Sequence, residues 1–145
     1  LPVSIGQGYL VASPIQLATM MATVANGGTV YQPHVVRKVF DRVQKTERLI
    51  EPKVVRHTEL PKEVWQLTRE IAAGVVQDPQ GTGKATRFKS ITVGGKTGTA
   101  QVGALGKESL GEQFKDHAWF VSFAPVENPE LAMAVLVENS GHGGT

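Results

Sequence analysis

The stretch VGGKTGTAQ, Val93–Gln101, places three glycines, two threonines and a lysine between apolar segments. Glycine is unfavourable in a packed strand interior, because it has no side chain to bury and loses more backbone entropy on folding than other residues. Its use at Gly94, Gly95 and Gly98 indicates a strand against which a ligand or another backbone must lie close. A glycine-rich turn is the competing interpretation of so short a stretch.

The polar side chains of this stretch predict a small anion site if the stretch is a strand. Successive strand side chains point to opposite faces, so Thr97 and Thr99 would share one side and Lys96 would lie on the other. Two hydroxyl groups one strand repeat apart can hold a carboxylate. The lysine would add a nearby positive charge for that anion, or for a hydroxyl that must lose its proton.

Two further strands are predicted after this stretch, at His117–Ala124 and Leu131–Glu138. Both are apolar almost without interruption, a pattern typical of strands covered on both faces. The segment PVENPE, 125–130, has the length and composition of a hairpin turn between them. Together with a strand at Ile91–Gln101, these segments predict an antiparallel sheet.

Two helices are predicted on local signals. Ser13-Pro14 provides an N-cap and a first-turn proline for a helix over 14–26, and Asn26-Gly27-Gly28 provides a left-handed stop. Pro61 opens a second helix that closes at Asp78-Pro79. We expect its buried stripe to consist of four apolar residues, namely Val64, Leu67, Ile71 and Val75.

The segment between the two helices carries weaker signals of secondary structure. TVYQPHVVRKVF, 29–40, is broken by Pro33 and predicts an edge strand or extended loop. The polar, weakly alternating segment 42–60 predicts a short surface hairpin. No linker or repeat divides the 145 residues. The sequence therefore predicts one α+β domain, an antiparallel sheet with packed helices.

Composition excludes several classes of protein. The net charge is +2, and the basic residues form no stripe of the kind that nucleic-acid binders show. The absence of cysteine excludes disulfides and thiolate metal sites. No apolar run approaches the roughly 18 residues of a membrane helix. The chain lacks an initiator Met, and we expect it to be a piece of a longer protein.

A nucleotide-binding loop is disfavoured, although Gly95-Lys96-Thr97 contains part of its signature. A P-loop needs a glycine at position 90, which is Ser90. The second candidate, GTGKAT at 81–86, has Ala85 where a hydroxyl must hold magnesium.

Metal and triad chemistry are also disfavoured. The four histidines show no ligand spacing and are interpreted as surface or loop residues: His34, His57, His117 and His142. A Ser-His-Asp triad stays open, because residue order does not decide it. No serine, however, lies in a G-x-S-x-G elbow. We expect no metal and no cofactor.

Lys96-Thr97-Gly98 resembles the K-T-G box of the penicillin-binding proteins and serine β-lactamases. The neighbouring segments strengthen the resemblance: SIGQGYLVASPIQLATMMATVANGGTVYQPHVV (4–36), HAWFVSFAP (117–125) and PELAMAVLVEN (129–139). Their order is similar to the C-terminal part of the transpeptidase domain of class B penicillin-binding proteins, in particular the elongation-specific ones. The resemblance covers nearly the whole chain.

The resemblance implies a five-stranded antiparallel sheet with helices on both sides. It implies D,D-transpeptidation of peptidoglycan stem peptides through an acyl-serine, which β-lactams would also acylate. Lys96 would support the hydrogen bonds around the nucleophile and the substrate carboxylate, and Thr97, Gly98 and Thr99 would line the substrate site. The backbone N–H of Thr99 would be one oxyanion-hole donor.

The sequence departs from the family in one large respect. No serine is followed three residues later by lysine, or two residues later by asparagine, so the S-x-x-K and S-x-N motifs are absent. We therefore expect residues 1–145 to be a C-terminal fragment of a single transpeptidase domain. It would lack the nucleophile-bearing part and the final helix, and would be inactive by itself.

Partners and location follow from the resemblance alone. It implies peptidoglycan stem peptides, β-lactam antibiotics and elongation-machinery proteins as partners. It also implies the periplasmic face of the inner membrane, with an N-terminal anchor outside this chain. Alternatives are a non-catalytic carboxylate- or peptide-binding module and a structural fragment without ligand. We expect the chain to self-associate through an uncovered apolar face at Leu131, Met133, Val135 and Val137.

Overall fold

The computed structural model describes residues 11–102 and 111–144. Within them, the two α-helices are α1 (Pro14–Ala25) and α2 (Lys62–Gln77). The strands, in chain order, are β1 (Thr29–Tyr31), β2 (Lys38–Asp41), β3 (Thr46–Leu49), β4 (Val54–His57), β5 (Gly94–Ala100), β6 (His117–Ala124) and β7 (Leu131–Val137). No described helix is both long enough and apolar enough to cross a bilayer.

Helix α1 begins and ends where the sequence predicts. The backbone N–H of Ser13 donates to Oε1 of Gln16 at 2.8 Å, and the Ser13 hydroxyl accepts from the Gln16 N–H, forming a capping box. At the other end, the N–H of Gly28 donates to the carbonyl of Thr23 at 2.9 Å. This Schellman-type closure requires the positive φ of +79° at Gly27.

The main sheet is antiparallel, with strand order β5-β6-β7. The three predicted strands are therefore confirmed, with β5 beginning at Gly94 rather than Ile91. The hairpin between β6 and β7 is also confirmed, with the Glu130 N–H donating to the carbonyl of Ala124 at 3.0 Å. The described part of the sheet has three strands, where the resemblance implies five in the intact domain.

Both helices pack on one side of this sheet, which we call the helix face. Its core joins Met21 and Ala25 of α1 to Val121 and Phe123 of β6, with Ala72 of α2 packed beside them. The opposite side, which we call the open face, includes Phe120 of β6 and four residues of β7, namely Leu131, Met133, Val135 and Val137.

The open face corrects one sequence prediction and agrees with another. Strand β7 alternates between exposed and half-buried residues, so among the described residues it is not covered on both sides as its apolar composition suggests. Leu131 is 74% exposed and Met133 52%. The exposed side chains are those expected to form an uncovered apolar face.

The buried stripe predicted for α2 is wrong: the side of the helix that is buried is shifted by about one residue along the sequence. Val64, Leu67 and Ile71 are exposed, whereas Val76 is fully buried. Ala72 lies four residues before Val76 and shares its side of the helix, so the small alanine makes the contact with the core. Adjacent valines near the end of the helix made the choice of face ambiguous from periodicity alone.

The segment 29–57 forms two small ribbons instead of the single hairpin predicted within 42–60. Strands β2 and β3 make one ribbon, whose turn contains Lys45 at a φ of 53°. Strand β4, which follows this ribbon in the chain, pairs with β1 in a second antiparallel ribbon. The segment 29–40, predicted as an edge strand or an extended loop, contains both: β1 ends at Tyr31 before Pro33, and β2 begins only at Lys38. Strands β2, β3 and β4 are exposed throughout.

Candidate functional site

Strand β5 places the lysine and the two threonines as the alternation predicts. Directly opposed residues of an antiparallel pair share a face. Lys96 is paired with Val121, a residue of the helix face, whereas Thr97 is paired with Phe120 of the open face. Thr99 is paired with Ala118, on the same side as Thr97. The two hydroxyl groups therefore project together, away from the lysine.

The glycines of β5 make room for aromatic rings of β6. A Cβ built on Gly94 would lie 2.7 Å from Cζ of Phe123, and one on Gly95 would lie 2.7 Å from Cζ of Phe120. Such distances exclude any side chain, because the rings would have to move. The close approach predicted from these two glycines is thus made by side chains of the neighbouring strand.

A Cβ built on Gly98 would also meet its cross-strand partner, 3.2 Å from Cβ of Trp119, while the backbone of Gly98 has a second neighbour. A Cβ built on Gly143 would lie 2.1 Å from the carbonyl oxygen of Gly98, so the backbone of the segment after β7 crosses β5 at this point. The Gly143 N–H also donates to Oγ1 of Thr99, at 3.3 Å. A backbone therefore does lie close to β5 here, but it is the missing side chain of Gly143, and not that of Gly98, that the approach requires.

The Lys96 side chain is exposed and folds against the backbone of its own strand. Its Nζ donates to the carbonyl oxygen of Thr97 at 2.7 Å. Within the part of the chain that the structure describes, β5 has β6 as its one neighbour, so this lysine lies on a strand at the edge of the sheet. A cation at an open strand edge is available to a ligand that approaches the edge.

Sequence reasoning missed a contact from the loop before β5. The hydroxyl oxygen of Thr82 lies 3.0 Å from that of Thr97. Thr82 belongs to the loop that contains GTGKAT, 81–86, whose sequence fails as a nucleotide motif. Both line a groove of about 800 Å³ over the open face, together with Phe120 and the glycines Gly143 and Gly144. The Gly-Thr-Gly pattern at 81–83 is the only local signal that could have drawn attention to it.

The other candidate sites have structural explanations. Gly95-Lys96-Thr97 lies within a strand, which does not provide the loop that a nucleotide phosphate needs. Three histidines bond to nearby groups: Nδ1 of His117 accepts from the Asn139 N–H at 2.9 Å, Nδ1 of His57 lies 3.2 Å from the Thr29 hydroxyl, and His34 contacts the carbonyl of Gln32. Over 11–102 and 111–144, no three metal-ligating side chains of His, Asp or Glu cluster.

A hydrogen bond to a carboxylate lies at the other end of β5. Just before the strand, the Thr92 hydroxyl donates to the carboxylate of Glu127 in the turn between β6 and β7. That hydrogen bond, helped by one from the backbone N–H of Glu127, holds the pKa of this carboxyl below the usual value for glutamate. The pair fastens the start of β5 to the turn.

The family comparison assigns this arrangement to a class. The penicillin-binding protein transpeptidase domain matches residues 2–145, and the chain therefore belongs to the penicillin-binding protein transpeptidase family. Among its relatives is the peptidoglycan D,D-transpeptidase MrdA of Acinetobacter baumannii, 40% identical over 149 residues. The alignment covers 99% of this chain and 22% of that protein.

Solved structures of the family have the same fold. Penicillin-binding protein A of Mycobacterium tuberculosis, in a ceftriaxone acyl-enzyme complex, superposes with a TM-score of 0.80 at 29% identity, over 99% of this chain and 31% of that one. Penicillin-binding protein 2 of Helicobacter pylori, in complex with MreC, gives 0.73 at 31% identity, over 99% and 24%. The predicted family, the similarity to penicillin-binding protein 2 and the partial α+β fold are confirmed, and the chain spans a fifth to a third of these relatives.

Proposed function

We propose that the chain is the K-T-G-bearing part of a peptidoglycan D,D-transpeptidase, a domain that cross-links stem peptides in cell-wall synthesis. The proposal rests on one observation above the others: Thr97 and Thr99 present two hydroxyl groups on one side of an edge strand that also bears Lys96. Family membership supports it.

In this proposal each residue of the strand has one role. The hydroxyls of Thr97 and Thr99 donate to the carboxylate of the stem peptide or of a β-lactam. Gly98 leaves the Lys96 side of the strand free of a side chain, so that the substrate can lie close to the strand edge. The backbone N–H of Thr99 donates to the oxyanion of the tetrahedral intermediate, where a fixed donor contributes most. Lys96 supports the hydrogen bonds around the nucleophile with its positive charge.

The nucleophile is proposed to be a serine of the parent protein outside these 145 residues. A serine attacks an acyl group only when a neighbouring base takes its proton. None of the six serines in this chain has a lysine one helical turn further on: Ser4, Ser13, Ser90, Ser109, Ser122 and Ser140. The acyl-enzyme named for the mycobacterial relative supports an acyl mechanism for the intact protein.

Partners and location belong to the same proposal. A complex of penicillin-binding protein 2 with MreC in Helicobacter pylori supports an elongation-machinery partner for the parent protein. The similarity to peptidoglycan D,D-transpeptidases supports a location on the periplasmic face of the inner membrane, and we propose that an anchor lies in a part of the parent protein outside these residues.

Covalent labelling by a fluorescent penicillin tests the proposal. The full-length protein is expected to form one adduct per molecule, detected by intact-mass spectrometry, on a serine outside residues 1–145. The isolated chain is expected to remain unlabelled. An adduct on any serine of the isolated chain, or an unlabelled full-length protein, would overturn it.

A further inference from the structure

We propose that Thr82 is a positioning residue for Thr97 and sets the direction in which the Thr97 hydroxyl donates its hydrogen. This inference rests on the proposed function, in which Thr97 binds a carboxylate. Its basis is the 3.0 Å separation of the two hydroxyl oxygens, across 15 residues of sequence. Nothing in the K-T-G pattern itself indicates that a threonine outside the strand contacts Thr97.

The backbone around Thr82 is fixed by its neighbours on both sides. The Gly83 N–H donates to the carbonyl of Val75 at 2.9 Å, which ties the loop to the end of α2. A Cβ on Gly81 would lie 2.2 Å from the same carbonyl oxygen, so the chain passes too close for any other residue. On the other side, a Cβ on Gly83 would lie 3.2 Å from the ring of Phe120, the cross-strand partner of Thr97.

The methyl group of Thr97 is restrained as well. A Cβ on Gly144 would lie 3.2 Å from Cγ2 of Thr97 and 2.6 Å from the carbonyl oxygen of Thr82. Three separate segments therefore meet at this threonine: strand β5, the loop before it and the segment after β7. Rotation of the Thr97 side chain is limited by packing on one side and by the Thr82 hydroxyl on another.

The order of donors follows from the chemistry of the ligand. A hydroxyl group has one hydrogen to donate and two lone pairs to accept with, whereas an ionised carboxylate can only accept. When Thr97 donates to a carboxylate, its hydrogen is used, and its contact with Thr82 requires that Thr82 donate. The result is a series of two hydrogen bonds, from Thr82 to Thr97 and from Thr97 to the carboxylate, in which each hydrogen bond polarises the next.

The test uses the full-length transpeptidase and two probes, penicillin G and its methyl ester, which lacks the negative charge. The measured quantity is the ratio of their second-order acylation rate constants. Thr82→Val keeps the shape and removes the hydroxyl, and we expect it to lower the ratio about fivefold, the value of one neutral hydrogen bond. Thr82→Ser restores the hydroxyl and is expected to restore the ratio.

A matched control lies in the same loop. The Thr86 hydroxyl donates to the carbonyl of Gly83 at 2.8 Å, which stabilises the loop without contacting Thr97. Thr86→Val is therefore expected to leave the ratio unchanged. A drop in the ratio equal to that of Thr82→Val would mean that any disturbance of the loop has this effect, and would overturn the inference. Thr82→Ala replaces Thr82→Val if the valine variant does not fold.

Thr97→Val separates this inference from the function on which it rests. If Thr97→Val leaves the ratio unchanged, Thr97 does not bind the carboxylate and that part of the proposed function fails. If Thr97→Val lowers the ratio and Thr82→Val does not, the function stands and the role of Thr82 is refuted. In the double variant, Thr82→Val is expected to lower the ratio no further than Thr97→Val does alone, because its effect passes through Thr97. A further fivefold loss would show that Thr82 acts independently.

Discussion

Gly94 lies directly against the ring of Phe123, its cross-strand partner in β6. A Cβ on Gly94 would be 2.7 Å from Cζ of that ring, and Phe123 is 1% exposed. The glycine at the start of the K-T-G strand therefore belongs to the core of the sheet as much as to the candidate site.

Gly94→Ala should therefore destabilise the chain. Adding a methyl group to a filled core forces side chains or backbone to shift, at roughly 1–3 kcal/mol in the free energy of unfolding. Gly74→Ala is the matched control, because a Cβ there meets nothing within 4 Å and Gly74 lies inside α2. The control should stabilise by roughly 0.5–1 kcal/mol. Urea unfolding measures both, and an unchanged midpoint for Gly94→Ala would contradict the packing argument.

Lys96→Ala should lower acylation of the full-length protein while leaving its fold intact. Loss of one electrostatic stabiliser of a transition state typically costs about 10²–10³ in rate. Lys96 is exposed, so its removal disturbs little packing. Lys84→Ala is the control, since the Lys84 ammonium also donates to a backbone carbonyl, that of Pro79 at 3.3 Å, but away from β5. Wild-type acylation rates in the Lys96 variant would remove this residue from the mechanism.

Thr99→Val should weaken binding of the carboxylate and leave the oxyanion contact in place. A hydrogen bond to a charged group contributes roughly 1.5–3 kcal/mol, whereas the proposed oxyanion donor at Thr99 is backbone. We expect the KM of a stem-peptide substrate to rise and the kcat to change little. A peptide amidated at its C-terminus should lose no affinity on this substitution. Equal losses for both peptides would refute the assignment.

Thr92→Val should raise the pKa of Glu127 toward the usual glutamate value, because the hydroxyl that lowers it is removed. A depressed pKa in the folded state means that the pair contributes stability above the unfolded-state pKa, and loses it as the pH falls through the lower folded value. NMR titration of the Glu127 carboxyl measures this shift. Thr86→Val should leave the titration unmoved. An identical Glu127 curve in the Thr92 variant would count against the hydrogen bond.

How much of this could be predicted depends on how local each signal is. The bounds of α1 were predictable because Ser13-Pro14 and Asn26-Gly27-Gly28 determine them within a few residues. The alternation of Lys96 and Thr97 was predictable because it follows from strand geometry alone. Local sequence rules of this kind do not depend on what the element packs against.

Other features depend on packing across the chain. The buried side of α2 is set by the contact of Ala72 with the core, which the adjacent Val75 and Val76 leave undecided in the sequence. The contact between Thr82 and Thr97 depends on how a loop turns back over the sheet. Hydrophobic periodicity places the buried side of α2 only to within about one residue, and it contains no information about the contact between the two threonines.

The open face leads to a prediction about the chain in solution. An exposed apolar surface on a strand favours association, and Leu131 and Met133 are 74% and 52% exposed. We expect sedimentation velocity at high concentration to detect oligomers. Leu131→Lys combined with Val135→Lys should return the chain to a monomer, whereas Glu138→Lys, a change of charge at an exposed position beside β7, should not. A monomer at every concentration would contradict the prediction.

The alternation along β5 also restricts how the length of the chain can vary. A single residue inserted or deleted inside Gly94–Ala100 would slide the rest of the strand by one position against β6 and exchange its two sides. An insertion before Lys96 would bring the lysine opposite Phe120, a deletion would bring it opposite Ser122, and either would turn the two hydroxyl groups toward the helix face. The loop before β5 can absorb a gained or lost residue, but the strand itself cannot. Substitutions around the strand are therefore expected to be tolerated more readily than any change in the number of residues between the glycine pair and Thr99.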